Sequence, residues 1–359
     1  MPPGVVLTVI VPVRNAEATL DATLAAIRRS QISAPYELLV VDDVSEDKSV
    51  SLAARYADTV VRLSDRAHGP AYARNRGAEL SRGEIIAFID SDVLVEPDTL
   101  EKMLSALRQR PEIDGISATR HEIAGAPNFA SQYWNLLLRF GEERNTDGMC
   151  YFAPSCGMIR REVLLSAGMY DEWRFVRGSV EGVELAGRLR GAGRNVVAAP
   201  SLRVQHLKAW TLVSMCREVW RRSLMLARSL GYERTRSAVP GEVVFTLSRA
   251  LAPAFAAIVT VTLTASFIAR PNPLVRVVLV LGVVLLTNLP VHRFFLASRG
   301  FAFAILSAPI HLCVQAVSGL ALCAGWVLRD AVGDILPDAK TQAYSEVGLE
   351  IWPPVRRRL

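Results

Sequence analysis

Glu84-Ile85-Ile86-Ala87-Phe88-Ile89-Asp90-Ser91-Asp92 is the stretch that decides the fold of this 359-residue chain. It reads as a short apolar strand that runs directly into two carboxylates. Working outward, Ala71–Leu80 before it has a helical pattern, and Leu7–Val13, Tyr36–Val41 and Val60–Leu63 are further strand-like runs. Ala18–Arg29 and Lys48–Tyr56 are helical segments between those strands. Strands alternating with helices predict an α/β domain with a Rossmann-like, mostly parallel, doubly wound sheet. In such sheets ligands bind beyond the carboxyl ends of the strands. Both acidic clusters, Asp42–Asp43 and Asp90–Asp92, stand at such ends.

Carboxylates at i and i+2 on extended backbone point to the same side. Asp90 and Asp92 can therefore share a divalent cation, Mg²⁺ or Mn²⁺, which takes oxygen ligands from one or two carboxylates and from substrate phosphates. Alone, such a pair is more often a solvated turn. Its neighbours change that reading. Val11-Pro12-Val13-Arg14-Asn15, Val40-Val41-Asp42-Asp43-Val44-Ser45-Glu46-Asp47 and Gly69–Gly77 precede it. Gly157–Arg161, Gly168–Glu172, Glu181–Leu189 and His206 follow it. In order and spacing these segments resemble the inverting family 2 glycosyltransferases of GT-A fold, over about the first 210 residues.

The resemblance implies a site. Asp42 would accept hydrogen bonds from the base of a nucleotide-diphosphate sugar, with Pro12, Val13 and Asn15 walling the nucleotide. Asp43, Ser45 and Asp47 would order the turn and the helix behind it. Arg74 would face the donor phosphates with its forked cation. Asp90 and Ser91 would handle the donor, Asp90 and Asp92 the metal, and His206 would stand near the diphosphate and the metal. The family's usual base is the Asp of a Glu-Asp pair at a helix start, where this chain has Glu181-Gly182. Glu181 is the first substitute and Glu184 the second. An acceptor that is already an ionised phosphate, such as a polyprenyl phosphate, needs no base. A catalytically inactive membrane scaffold is the alternative. Arg217-Glu218-Val219-Trp220-Arg221 lacks the glutamine of processive relatives, so a polymerising synthase is not inferred.

The remainder of the chain differs in character. Hydrophobic residues make up 51%, and charge nearly vanishes between about 243 and 328. Three apolar segments, Val243–Ala269, Leu274–Pro290 and Phe301–Leu328, compare with the roughly 20 residues a bilayer crossing needs, predicting two or three membrane helices. Aromatic, aliphatic and arginine residues mixed over 207–230 suit the membrane interface. The formal charge of +6 is modest, and its placement beside apolar segments favours lipid; nucleic acid is not an expected partner. The five cysteines form no disulfide framework. The expected organisation is a glycosyltransferase domain (1–206), an interface connector (207–240), a transmembrane region (241–330) and a tail (331–359). The expected location is the cell membrane, multi-pass, with a cytoplasmic catalytic domain. The donor carries UDP by default or GDP, and the acceptor is lipid-linked or another glycan at the membrane.

Overall fold

A computed structural model describes residues 4–64, 66–144, 152–172, 181–229, 273–331 and 349–352. The chain begins β1 (Leu7–Val13), α1 (Glu17–Arg28), β2 (Tyr36–Asp42), α2 (Ser49–Ala53), β3 (Thr59–Leu63), α3 (Pro70–Leu80) and β4 (Ile85–Ile89). All seven residues of β1 are buried, because its side chains enter cores on both faces of the sheet. Val9, Val11 and Val13 join one core, whereas Ile10 joins the other with Ala71 and Tyr72 of α3. A strand with two apolar faces belongs in the middle of a doubly wound sheet.

Among the described residues the sheet has nine strands in the order β5-β8-β6-β7-β4-β1-β2-β3-β9, where β5 is Val93–Val95, β6 Gly115–Arg120, β7 Cys156–Arg160, β8 Val196–His206 and β9 Leu349–Trp352. The run β3-β2-β1-β4 is parallel throughout, as expected. Beyond it, β7 lies antiparallel to both β4 and β6, and β8 is parallel to β6. The helices are α4 (Thr99–Gln109), α5 (Phe129–Arg144), α6 (Arg161–Ser166), α7 (Glu181–Gly191), α8 (Leu212–Ser229) and α9 (Pro273–Ala331). The helix expected over Lys48–Tyr56 shortens to Ser49–Ala53. Its last turn tightens into i to i−3 bonds, Arg55 N–H to Leu52 O and Tyr56 N–H to Ala53 O.

The segment Val243–Ala269, Arg249 and Cys150 lie outside the described residues. The other two apolar segments become the arms of α9, which folds back at Gly300 (φ 80°, ψ 179°). That backbone region is essentially restricted to glycine. The reversal is visible in contacts across the arms: Asn288 bonds Gln315, and the rings of His292 and His311 lie 5.8 Å apart. In one straight helix residues 288 and 315 would be about 40 Å apart. Among the described residues, Leu286–Leu328 of this hairpin is the stretch long and apolar enough to cross a membrane, with a mean hydropathy of 1.7. Leu306, Leu320 and Val327 stay exposed on its outer faces.

The hairpin is not tethered loosely. Tyr133, Trp134 and Phe140 of α5, Met215 and Val219 of α8, and Val291, Phe295 and Val314 of α9 form one buried cluster. Phe295 is fully buried, a change that contributes about 1.5–3 kcal/mol for a large apolar side chain. Arg299 at the turn donates to Gln132 Oε1 (2.5 Å) and Glu122 O.

Candidate active site

Local geometry begins at the ends of β1 and β2. Asn15 (φ 48°) and Val44 (φ 59°) both take left-handed backbone, which is strained for a β-branched valine. The turn is held against that strain by side-chain caps. Asn15 N–H donates to Ser45 Oγ, and Asp47 accepts the N–H groups of Ser49 and Glu17. Asp43 accepts from His68 N–H (2.7 Å) and Gly69 N–H (2.8 Å), fixing the entry of α3. These are the ordering roles expected for Asp43, Ser45 and Asp47.

A single cavity of about 1300 Å³ opens beyond these strand ends. Pro12, Val13, Asn15, Arg74, Asp90, Ser91, Asp92, Glu181 and His206, separated widely in sequence, all border it. Asp42 does not. It is 1% exposed, accepts Ser45 N–H and pairs with Arg62 at 3.5 Å, while Asp43 reaches the cavity wall beside it. Burial pushes the Asp42 carboxyl up, and its Oδ1 is buried without a hydrogen-bond partner.

Arg74 is the organising cation. It is almost fully buried, donating from Nη2 to Asp90 Oδ1 (2.7 Å) and from Nη1 to Glu181 Oε1 (3.1 Å). Desolvation works against its charge, but Asp90, Tyr170 and Glu181 outweigh it and raise the pKa. Ser91 is pinned through its carbonyl, which accepts the hydroxyls of Thr19 (2.9 Å) and Thr23 (3.1 Å) of α1. The strand register then sets His206, for Val93 of β5 pairs with it directly. Both His206 ring nitrogens are buried without hydrogen-bond partners, and burial with nearby Arg120 and Arg222 holds the imidazole well below its ordinary range. Burial and the adjacent Asp90 raise Asp92 to about 6, against the pull of Lys208 and Arg120.

Asp90 is already paired with Arg74, but Asp92, raised by burial, and His206, with both ring nitrogens unpartnered, are donors that a divalent cation would satisfy. Among the described residues no group of three or more His, Cys, Asp or Glu side chains could hold an ion unaided. Diphosphate oxygens would have to complete the coordination shell, as is usual for Mg²⁺ with phosphorylated ligands.

The structure separates the two substitutes for the base. Glu181 opens α7 at the cavity, whereas Glu184 is clamped by Arg188 (2.6 Å from Nε) and does not border it. Arg188 also donates to the carbonyls of Ala167 and Met169, so this clamp ties α7 to the turn after α6. Gly182 has a steric reason. A Cβ there would lie 2.6 Å from Phe152 O and 2.8 Å from Pro154 Cδ, leaving no room for an aspartate. Sequence reading missed Arg120, Lys208, Trp134 and Arg222, which also border the cavity. Arg120 and Trp134 sit in unremarkable local patterns, Lys208 and Arg222 in the 207–230 stretch read as membrane interface, and only folding gathers them.

A parallel half of the sheet joined to a mixed half, with an acidic pair at the junction, is the arrangement of the GT-A class of fold. Residues 8–166 match the sequence profile described as Glycosyl transferase family 2. The chain is 30% identical over 202 residues to an uncharacterized glycosyltransferase, Mb0553, of Mycobacterium bovis, covering 54% of this chain and 83% of that one. This protein is a member of glycosyltransferase family 2. It is also 30% identical over 167 residues to the glucosyl-dolichyl phosphate glucuronosyltransferase of Haloferax volcanii, covering 43% of this chain but only half of that protein. In solved structures its fold is similar to the mannosyltransferase PcManGT of Pyrobaculum calidifontis, determined with GDP-Man and Mn²⁺, at a TM-score of 0.60 and 19% identity, over 90% of this chain and 86% of that one.

Proposed function

We propose that this glycosyltransferase moves a sugar from a nucleotide diphosphate to a lipid-linked acceptor at the cytoplasmic face of a membrane. The observation that carries the proposal is the continuity of the cavity. It runs from Asn15, Arg74 and Asp90 to a groove walled by Leu226 of α8 and Val314 of α9. One end suits a nucleotide diphosphate and the other an amphiphile. The Haloferax relative, whose name gives a lipid-linked acceptor, supports the same reading.

In this proposal Asp92, with Asp90 and with His206 nearby, would hold Mg²⁺ or Mn²⁺ against the donor diphosphate. The bound ion would supply Lewis-acid stabilisation of the leaving diphosphate. Pro12, Val13 and Asn15 wall the nucleotide, Ser91 and Asp90 bind the donor, and Asp42 orders the turn that seats the base. Arg74 turns its guanidinium to the phosphates, loosening its hold on Glu181. Glu181 then accepts the proton of an acceptor hydroxyl as it attacks the anomeric carbon. The inverting outcome follows from family resemblance. The inactive-scaffold alternative loses its main support, because Gly182 answers to the packing of Phe152 and Pro154. Uracil is the expected donor base and guanine the other.

Arg299 at the hairpin turn, bonded to Gln132, is a basic residue next to the catalytic domain, and the positive-inside preference for such residues supports the reading of a cytoplasmic catalytic domain. The test is donor turnover by the full chain in detergent with Mn²⁺ and a panel of UDP- and GDP-sugars. Release of nucleoside diphosphate that disappears in Asp92→Asn supports the proposal. No release and no donor binding with any of the panel would overturn it.

A further inference from the structure

The second arm of α9 carries an unexpected pattern for an apolar helix. His311, Gln315 and Ser318, spaced i, i+4 and i+7, lie on one helical face, and all three border the cavity. They are 2%, 4% and 7% exposed, so imidazole, amide and hydroxyl are buried where a hydrocarbon chain alone would call for leucine. Each is held in place. Tyr133 Oη and His311 Nδ1 are 2.9 Å apart, Gln315 Nε2 donates to Asn288 Oδ1 (2.6 Å), and Ser318 meets Ser223 Oγ at 2.7 Å. Interhelical bonding alone would not require the stripe to face open space. Asn288, which belongs to the same network, does not border the cavity.

A second feature of the same cavity comes from the catalytic domain. Trp134 of α5 and Trp210 both border the same cavity, with ring centroids 6.0 Å apart at an angle of 58°. Planar amide and imidazole groups that share a cavity with indole rings match the chemistry of a pyranose ring, which offers hydroxyls at its rim and C–H groups on its faces. Arg222 of α8, paired with Glu218 at 2.6 Å, also borders the cavity and brings a guanidinium to it that a phosphoryl link could share.

We infer that the membrane hairpin forms part of the acceptor site, and that the acceptor is a lipid-linked saccharide whose sugar lies between Trp134/Trp210 and the His311–Gln315–Ser318 stripe. The nucleophile is then a sugar hydroxyl, not a bare lipid phosphate. This inference rests on the proposed donor chemistry and names the substrate class for the same cavity. In the reaction the hydroxyl oxygen bonds to the anomeric carbon as the bond from that carbon to the diphosphate breaks. The hydroxyl proton passes to Glu181, and nucleoside diphosphate departs with the bonding pair.

The experiment uses the full chain in lipid nanodiscs with Mn²⁺, the donor found active, and two acceptors. These are a polyprenyl phosphate and a polyprenyl diphosphate bearing one sugar. Wild type should favour the sugar-bearing lipid at least about tenfold in kcat/KM. Gln315→Leu should raise the KM for that acceptor about tenfold, the weight of one or two lost neutral hydrogen bonds. Asn288→Leu breaks the same internal bonds from outside the cavity but keeps the Gln315 amide and the His311 ring, so its loss in acceptor KM should be clearly smaller than that of Gln315→Leu. Equal use of the two lipids, preference for the bare phosphate, or transfer to neither despite donor hydrolysis would overturn the inference. So would equal acceptor losses in the Gln315 and Asn288 variants, which would assign the stripe to packing. Loss of donor binding in wild type would strike the donor reading instead.

Discussion

Arg74 holds two carboxylates at once, and removing it would strand both. Asp90 and Glu181 face it at 2.7 and 3.1 Å in a largely buried setting. Breaking a buried pair by deleting one partner costs about 3–5 kcal/mol. Arg74→Ala should therefore lower the midpoint of thermal unfolding by several degrees as well as abolish turnover. Arg74→Lys, which cannot fork between two acceptors, should recover part of the stability and little activity. Asp92 yields a pH test. Its folded value of about 6 lies above the ordinary 3.8, so the folded state binds this proton more tightly than the unfolded chain. Stability from this group is present at low pH and is lost as pH rises from about 4 through 6. A cation held with a diphosphate would reverse the preference, so the rise in unfolding temperature caused by Mn²⁺ together with nucleoside diphosphate should be small at pH 5, reach a plateau above about pH 7, and vanish in Asp92→Asn. A thermal-shift series across that range checks the sign.

Elements behave according to where backbone meets backbone. The start of α7 presses on the Phe152–Pro154 loop so closely that Gly182 admits no side chain. Restoring the family's usual aspartate by Gly182→Asp should thus not improve turnover. Overpacking of this kind costs about 1–3 kcal/mol, and unfolding midpoints with kcat would show a loss in both. Glu184 belongs to a different task. Its clamp on Arg188 positions α7, so Glu184→Gln should weaken the fold yet leave donor affinity within about twofold of wild type, as a binding titration would show. Much at this scale was legible from residue order. The β1–α3–β4 alternation marked strands and helices, and the Asp90–Asp92 pair marked a strand end. Gly182 could be seen as a departure but not explained, since Phe152 is 30 residues away in the chain.

The whole molecule depends on the docking of the hairpin. Phe295 is fully buried against Tyr133 and Phe303, with ring centroids 5.7 and 5.8 Å away. Phe295→Ala should cost about 3–5 kcal/mol in that cluster. Hydrogen exchange should then quicken in α5 and α8 while β1 and β2, which lie in other cores, keep their protection. If the anchor were merely tethered, exchange in α5 would not change. The same docking turns an apparent anchor into a cavity wall and brings Gln315 to the site that Arg74 organises.

By itself the amino-acid order determined the alternating α/β plan, the strand ends that carry Asp43, Asp90 and Asp92, and an apolar C-terminal region. Those are local matters of periodicity, side-chain shape and hydropathy, all readable within a dozen residues. Only tertiary structure decided that Asp42 stands behind the cavity wall, that Glu181 and not Glu184 meets Arg74, and that His311 faces the catalytic domain. Such outcomes turn on contacts between segments tens to hundreds of residues apart. There burial and steric fit set which of several chemically equivalent groups reaches the open space, and no short stretch of chain contains that information.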